Sequence, residues 1–367
     1  MKFTVSREAL LRPLQLVTGV VERRQTLPVL SNVLVSVDGT ELTLTGTDLE
    51  VQLVARVQLP EAARNSGETT LPARKLMDIC RALPDGAQIQ IAQDEQRAVL
   101  RSGASKFQLA TLPAAEFPGI DEGAGELEIE LAQGQLRHLI DRTAFSMAQQ
   151  DVRYFLNGML LEVTPEHIRA VATDGHRLAM CTMLPGAGSE RQQVIVPRKG
   201  VTELGRLLAE GDEQVTLSLG SNHLKAVLGG YSFITKLVDG RFPDYEKVIP
   251  RGGTRESIGD RQQLREAFSR AAILSNEKYR GVRITLSEGL LTVQANNPEQ
   301  EEAEEAVPVE FTGGSLEMGF NVSYLQDVLG VLQSDQVRIT VSDASSSALI
   351  EEPGGGDSLF VVMPMRL

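Results

Sequence analysis

Hydrophobic residues recur with helical spacing in six windows of the chain and alternate with polar residues between them. In the first window Leu10, Leu14 and Val17 share one face after Ser6, a residue type that caps helix N-termini. Residues 215–219 show the other pattern, apolar at every second position, which is typical of a half-buried antiparallel strand. The six predicted helices occupy residues 6–24, 72–83, 133–150, 197–209, 260–274 and 321–334.

The same pattern occurs three times, with a period of about 125 residues. Matching leucines of the first helices are Leu10, Leu136 and Leu264. Each copy is predicted to open with its first helix, to continue into hairpins and to carry the second helix near its middle. This period is longer than a solenoid unit, so each copy is predicted to be a domain. We expect α+β domains with two helices on antiparallel sheet, at residues 1–124, 125–250 and 251–367.

Composition narrows the function classes. The 367 residues are 42% hydrophobic but only 4% aromatic, with no Trp, which disfavours stacking platforms for single-stranded nucleic acid. Cys80 and Cys181 lie in apolar stretches and are expected to be buried free thiols. The start of the chain lacks a signal-peptide pattern and no apolar run approaches the roughly 20 residues that span a bilayer. A cytoplasmic protein is expected.

Charge is distributed unevenly. The net charge of −13 would argue against a general nucleic-acid binder if it were uniform. The six helical windows hold 15 of the 36 basic residues and only 8 of the 49 acidic ones, so the helices carry +7 and the rest −20. Positive helices could be ordinary solvated faces. Their recurrence across the repeats also suits contact with the phosphates of a duplex.

Geometry then limits how such helices could surround DNA. If each helix fills about 10 Å of the wall of a ring, six helices leave a hole of only ~9 Å and twelve leave ~28 Å. A duplex is roughly 20 Å wide. A version of this chain that encircles DNA should therefore be a twofold dimer or a larger closed assembly.

Six stretches of the chain carry recognisable motifs, at residues 26–30, 150–154, 172–179, 239–245, 296–305 and 361–367. Together they resemble one family, the bacterial sliding clamps that form the beta subunit of DNA polymerase III, and the resemblance covers the whole chain. It implies a non-enzymatic head-to-tail ring of two chains, without metal or cofactor, that slides on duplex DNA and keeps polymerases on the template. It also implies a pocket between the second and third domains for short linear peptides of DNA polymerases, the clamp loader and repair proteins.

The resemblance also implies which residues carry these functions. In the pocket, Lys247 replaces the Arg usual in the family, which keeps the charge but loses the planar fork. A flexible apolar surface with methionines can accept several peptides, although Met363 and Met365 could equally pack as an ordinary strand edge. The implied pocket residues are Arg153 and Leu156, assigned to the strand before the 173–177 turn, with Thr173, Gly175, His176, Arg177, Leu178, Pro243, Lys247, Val248, Asn321, Tyr324, Ser347, Val362, Met363, Pro364, Met365 and Arg366.

Two further sets of residues follow. The family implies DNA contacts at Arg24, Gln150 and Tyr154, whereas Phe155 lacks the hydroxyl that the family can carry there. Arg198 and Lys199 are added on charge alone, because they open a predicted helix. At the contact between chains, Ile273 and Leu274 are expected near Phe107, with Lys75 opposite Glu301 or Glu304.

Other classes of protein remain open from the residues alone. Asp174 and His176 could form an acid–base pair of a hydrolase or transferase, but no serine elbow, metal-spaced His pair or phosphate loop accompanies them. The acidic run 301–305 could bind a cation, although a solvated face is the simpler interpretation. A scaffolding module without a role on DNA is the third alternative.

Overall fold

A computed structural model describes residues 1–22, 27–94, 96–120, 125–188 and 190–366. In these ranges the order strand, helix, four strands, helix, three strands occurs three times. The helices are α1 (Arg7–Val20), α2 (Ala73–Ala82), α3 (Gln133–Thr143), α4 (Arg198–Leu207), α5 (Arg261–Ala272) and α6 (Val322–Val331).

The strands of the first repeat are β1 (Lys2–Ser6), β2 (Asn32–Asp38), β3 (Glu41–Thr47), β4 (Val51–Gln58), β5 (Gly67–Pro72), β6 (Gln88–Asp94), β7 (Arg97–Ser102) and β8 (Ser105–Ala110). Those of the second are β9 (Leu127–Ala132), β10 (Gly158–Val163), β11 (Ile168–Thr173), β12 (Arg177–Met183), β13 (Gln192–Pro197), β14 (Gln214–Leu219), β15 (His223–Leu228) and β16 (Tyr231–Lys236). Those of the third are β17 (Arg255–Asp260), β18 (Gly281–Ser287), β19 (Leu290–Asn296), β20 (Glu302–Glu310), β21 (Leu316–Asn321), β22 (Gln336–Val341), β23 (Ala348–Glu351) and β24 (Ser358–Val362).

Three details of the sequence prediction were wrong. Each repeat opens with a short strand and not with its helix; in β1 the buried Phe3 and Val5 alternate with more exposed neighbours. The predicted helix 133–150 ends at Thr143, whose hydroxyl donates back to the carbonyl of Leu139 (2.7 Å), and a 3₁₀ turn follows. Arg153 lies directly before another 3₁₀ turn ahead of β10, and Leu156 lies within that turn, so neither residue is in a strand.

The chain forms two compact units, and the second repeat contributes to both. The first unit, residues 1–136 and 199–237, holds a four-stranded sheet β1-β6-β7-β8 and an eight-stranded sheet β5-β2-β3-β4-β16-β15-β14-β9. The second unit, residues 137–198 and 238–367, holds a twelve-stranded sheet β13-β10-β11-β12-β24-β23-β22-β17-β20-β19-β18-β21. Each larger sheet therefore joins strands from two successive repeats.

Helices cover the sheets with the faces that the sequence pattern predicted. In the first unit Leu10, Leu14 and Val17 of α1 are fully buried, and Ser6 caps the helix by accepting from the amide of Ala9 (3.2 Å). Gly46 in β3 permits the close approach, because a Cβ there would lie 2.7 Å from the carbonyl oxygen of Val17. The local cap and the tertiary packing thus both favour the same helix.

Both cysteines are buried free thiols, as the sequence predicted. Burial raises the pKa of Cys80 to about 11 and that of Cys181 to about 12. Both side chains are therefore neutral at physiological pH and pack as small apolar groups.

Candidate functional site

The turn between β11 and β12 organises a surface site in the second unit. Asp174 Oδ1 accepts from the amides of His176 (2.9 Å) and Arg177 (3.0 Å), and Thr173 Oγ1 donates to the Arg177 carbonyl (2.6 Å). Gly175 has φ +87°, a conformation that favours glycine. The Asp174 carboxylate thus accepts from backbone amides, which explains the Thr-Asp-Gly sequence without an acid–base role.

Arg177 connects this turn to two other elements. Its Nε donates to Asp174 Oδ2 (3.1 Å), its Nη2 donates to the carbonyl of Phe145 after α3 (2.9 Å), and its Nη1 pairs with Asp327 on α6. The guanidinium also stacks over the ring of Tyr324. One planar side chain therefore fixes the turn against α6, a task that a lysine could not perform.

The tail runs beside the turn. β24 pairs with β12, with Arg177 opposite Val362, and the Met363 amide donates to the His176 carbonyl (2.9 Å). The Met365 amide then donates to the carbonyl of Gly319 in β21 (2.8 Å). The main chain after Val362 is held at two points, while the side chain of Met363 is 43% exposed.

An apolar floor lies under the turn. Leu178 and Val361, paired across β12 and β24, are buried in one cluster with Phe242 and Tyr245 of the segment between β16 and β17. Phe155 packs against this cluster. Val248 is 43% exposed. Pro243 and Lys247 are exposed as well, and Lys247 contacts Asp244 (2.9 Å).

Arg153 lies at the rim of the site. Its Nε and Nη2 donate to the two carboxylate oxygens of Asp151 (3.0 and 2.8 Å), and Nη2 reaches the Asp174 carbonyl (3.2 Å). The hydrogen bonds from Arg153 lower the pKa of Asp151 to about 2. The guanidinium is half-exposed, so it keeps donors for a bound molecule.

The remaining predicted pocket residues differ in burial and in hydrogen bonding. Leu156 and Val362 are buried, and Asn321 caps α6 by accepting from the Ser323 amide (2.9 Å). Ser347, Pro364 and Met365 are half-buried and Arg366 is exposed.

Sequence reasoning missed several contributors. Phe145, Asp151 and Asp327 hold the predicted arginines but were not predicted themselves. Asp327 carried a signal, since it lies three residues after Tyr324 on one helical face. Phe242 and Tyr245 carried another signal, because they are the two aromatic residues of the largely polar segment 239–247.

The predicted DNA contacts differ in their surroundings. Arg24 lies outside the described residues. Gln150 is exposed with φ +56°, and Tyr154 is 58% exposed. Arg198 donates to the Met147 carbonyl (2.9 Å). Lys199 Nζ contacts the Val20 carbonyl (2.9 Å), Glu22 (3.1 Å) and the buried Asp48, so its charge is already balanced by protein acceptors.

The predicted chain-contact residues lie on exposed edges. Ile273 is 76% exposed and Leu274 and Phe107 are half-buried. Lys75 is exposed on α2. Glu304 accepts from Gln294 (2.7 Å) and Glu301 from Asn297 (2.6 Å), which gives these carboxylates protein donors in place of a cation.

Three repeats of an α+β domain, each with two helices on antiparallel strands, define the clamp class of fold. Family models of the DNA polymerase III beta subunit match the N-terminal domain at residues 1–121, the central domain at 130–244 and the C-terminal domain at 246–366. The chain belongs to the DNA polymerase III beta subunit family.

Relatives agree with this assignment. The beta sliding clamps of Pseudomonas aeruginosa and Escherichia coli are 64% and 52% identical, over the full length of each chain. A crystal structure of the P. aeruginosa DNA polymerase sliding clamp with a ligand has a TM-score of 0.96 at 63% identity, covering both chains completely. The predicted family, fold class and function as a non-enzymatic processivity factor of DNA replication are confirmed. Among the described residues, no helix is long and apolar enough to cross a membrane.

Proposed function

We propose that two copies of the chain close head to tail into a ring around duplex DNA. A repeated strand pairing supports this. The fourth strand of the first repeat, β4, pairs with the last strand of the second, β16. The fourth strand of the second repeat, β12, pairs with the last strand of the third, β24. By the same rule β20 would pair with β8, and a β8 supplied by a second copy would close a twofold ring.

Both strands offer an edge for this pairing. β8 is the last strand of its sheet, and β20 contacts β17 only through Ile258 and Gly259, which leaves the Glu302 end of its second edge unpaired. In the register of β4 and β16, Leu53 lies opposite Phe233. The equivalent register would bring Phe107 opposite Ala303, which lies opposite Ala295 as Leu53 lies opposite Gly46.

Side chains beside these edges fit a joint between chains. Ile273 and Leu274 would cover Phe107, and Lys75 would approach Glu301 or Glu304. An unpaired strand edge with an exposed apolar neighbour is otherwise an aggregation hazard, which a defined partner removes. The charged pairs would fix the register.

Retention on DNA tests the ring. The loaded protein should stay on a nicked circular duplex and leave after linearisation, because a ring is held by topology and not by affinity. Equal retention on circular and linear DNA would contradict the proposal. The protein mass in solution is the companion measurement, since a stable monomer would exclude the twelve-helix wall.

The site around the 173–177 turn would bind short linear peptides of DNA polymerases, the clamp loader and repair proteins. The observation that supports this most strongly is the combination of an apolar floor at Leu178 and Val361 with exposed Met363 and Val248 and a rim of half-exposed Arg153. Peptide sites are built from apolar pockets with few polar anchors.

Deleting residues 362–367 tests the pocket. Binding of a polymerase-derived peptide should be lost, because Met363 and its neighbours would form one wall. A change of Val227 to Ala, at an exposed apolar position in β15, provides a control in the first unit. Undiminished affinity after the deletion would remove the tail from the site.

DNA contacts at Arg24, Gln150, Tyr154 and Arg198 complete the proposal. Lys199 would contribute less to DNA binding, because its ammonium group already contacts protein acceptors. Weak contacts to phosphate suit a ring that must slide. The described helices carry 13 basic and 6 acidic residues, which supports their placement towards DNA. We also propose a cytoplasmic location and domains at residues 1–124, 125–250 and 251–367.

A further inference from the structure

Three side chains of different chemistry meet in the second unit, away from the peptide site. They are His138 on α3, Cys181 on β12 and Asp357 directly before β24. An imidazole nitrogen, the thiol sulfur and a carboxylate oxygen all lie within 4.8 Å of one another. The proposed functions on DNA and peptides make no use of this group.

The fold holds two of these residues in fixed register. Cys181 lies opposite Ser358 in the β12–β24 pair, and the Thr182 amide donates to the Asp357 carbonyl (2.7 Å). His138 Nε2 lies 2.8 Å from Asp357 Oδ2 and brings the third donor from the helix. The helix and the strand thus fix His138 and Cys181, while the hydrogen bond from Thr182 holds Asp357 at the end of its loop.

We infer that His138, Cys181 and Asp357 form a binding site for a divalent ion of the zinc class, with the fourth position open to water. Nitrogen, sulfur and oxygen donors together suit this borderline ion better than Mg²⁺ or Ca²⁺, which take oxygen. Three protein ligands and one open position is a known zinc arrangement.

The spacing and access are suitable. Bonds of about 2.0–2.3 Å in a tetrahedral site hold the donors roughly 3–4 Å apart. The contact between His138 and Asp357 is shorter, so the ion would replace that hydrogen bond and separate the two groups. Their side chains are 31% and 46% exposed, which gives them room to move and gives the ion a path from solvent.

The charges balance as well. On binding, the Cys181 thiol would release its proton to solvent, so that a thiolate and the Asp357 carboxylate neutralise the two charges of the ion. The positive charge of Arg142 lowers the pKa of both Cys181 and Asp357. Arg142 is itself paired with Glu352 (3.2 Å) and donates to the Val331 carbonyl (2.6 Å). Its positive charge is therefore compensated within the protein.

Cobalt provides the direct test, because Co²⁺ bound by a thiolate gives a charge-transfer absorption. The full chain, stripped with EDTA and titrated with Co²⁺, should develop this absorption at a single ion per chain and lose it when Zn²⁺ is added. The Cys181→Ala variant should not develop it. The Cys80→Ala variant is the matched control, since Cys80 is equally buried but lies in α2. No thiolate absorption in the unchanged chain would overturn the site.

A second variant avoids the buried position. His138→Gln changes a partly exposed side chain and should weaken Zn²⁺ affinity roughly tenfold or more. Zinc should also raise the unfolding temperature of the unchanged chain more than that of this variant. Equal affinity and equal thermal shift in both proteins would exclude His138 as a ligand and overturn the proposal.

Discussion

The guanidinium carbon of Arg177 lies 4.5 Å from the centroid of the Tyr324 ring, and the His176 ring stacks on the same tyrosine at 6.4 Å. The turn and α6 thus share one aromatic contact. A peptide bound here would lie against a surface whose shape depends on that stack.

Replacing Arg177 by Lys should therefore weaken peptide binding about tenfold, equal to about 1.4 kcal/mol, because lysine cannot reproduce the fork or the planar stack. Fluorescence anisotropy with a labelled polymerase peptide measures this. Arg283→Lys is the control, since Arg283 is a half-exposed arginine on β18 that pairs with Glu317 (3.5 Å). Unchanged affinity in Arg177→Lys would separate this residue from the peptide site.

Glu162 makes the stability depend on pH. Burial alone would raise its pKa, but hydrogen bonds from His167, Arg191, Tyr245 and Gln193 lower the pKa to about 2 from an ordinary 4.5. Because the pKa of Glu162 is lower in the folded than in the unfolded state, its ionised form stabilises the fold above the unfolded-state pKa. This stabilisation is lost as the pH falls towards the folded-state pKa. The ionised group should contribute roughly 3 kcal/mol at neutral pH, fading between about pH 5 and 2.

Urea unfolding of a Glu162→Gln variant across this pH range checks the sign. The difference from the unchanged chain should be greatest near pH 7 and shrink in acid. Glu317→Gln, at an exposed position, should show little pH-dependent difference. A constant gap for Glu162→Gln would mean that its ionisation does not contribute.

Ile273 tests the joint between chains. An aspartate at this 76% exposed position should turn the proposed dimer into a monomer at micromolar concentration, because it would place a charge in an apolar contact. Light scattering reports the mass. Val152→Asp, at a 95% exposed position, should leave the mass unchanged. A dimer that persists in Ile273→Asp would remove this residue from the joint.

Lys199 should contribute mainly to folding stability, whereas Arg24 should contribute to DNA binding. Lys199→Gln leaves the buried Asp48 without its cation and should cost roughly 1–3 kcal/mol of unfolding free energy, with little change in DNA binding. Arg24→Gln should instead reduce the salt slope of DNA binding by about one. Denaturant unfolding and binding at several salt concentrations separate the two effects. A reduced slope for Lys199→Gln would restore it as a phosphate contact.

Periodicity revealed the repeat and its helices because amphipathic faces such as that of Leu10, Leu14 and Val17 span several turns. It missed the opening strands because five residues such as those of β1 offer only two alternations. The break after Thr143 depends on a side chain that bonds back to its own helix, which period alone does not reveal.

The candidate site was predictable only in part. The turn was predictable from the Thr-Asp-Gly sequence. Asp174 supplies the acceptor for the backbone amides, and Gly175 adopts the positive φ that the turn requires. The contacts of Arg177 with Phe145 and Asp327 connect positions 32 and 150 residues away, and no local pattern encodes them. The strand rule that joins β4 to β16 and β12 to β24 likewise appears only once the registers are known.

That strand rule has a consequence for β20. The ladders inside the chain pair apolar residues, such as Leu53 with Phe233 and Leu178 with Val361. The free edge of β20 instead carries Glu302, Glu304 and Glu305. Each chain would thus contain two such strand contacts within its own polypeptide and one reversible contact with a second chain. In that contact, ion pairs that weaken as salt rises would add to the apolar packing of Ile273 and Leu274 on Phe107. A ring built this way opens at the place where its polypeptide is already discontinuous, so admitting DNA requires no domain to unfold.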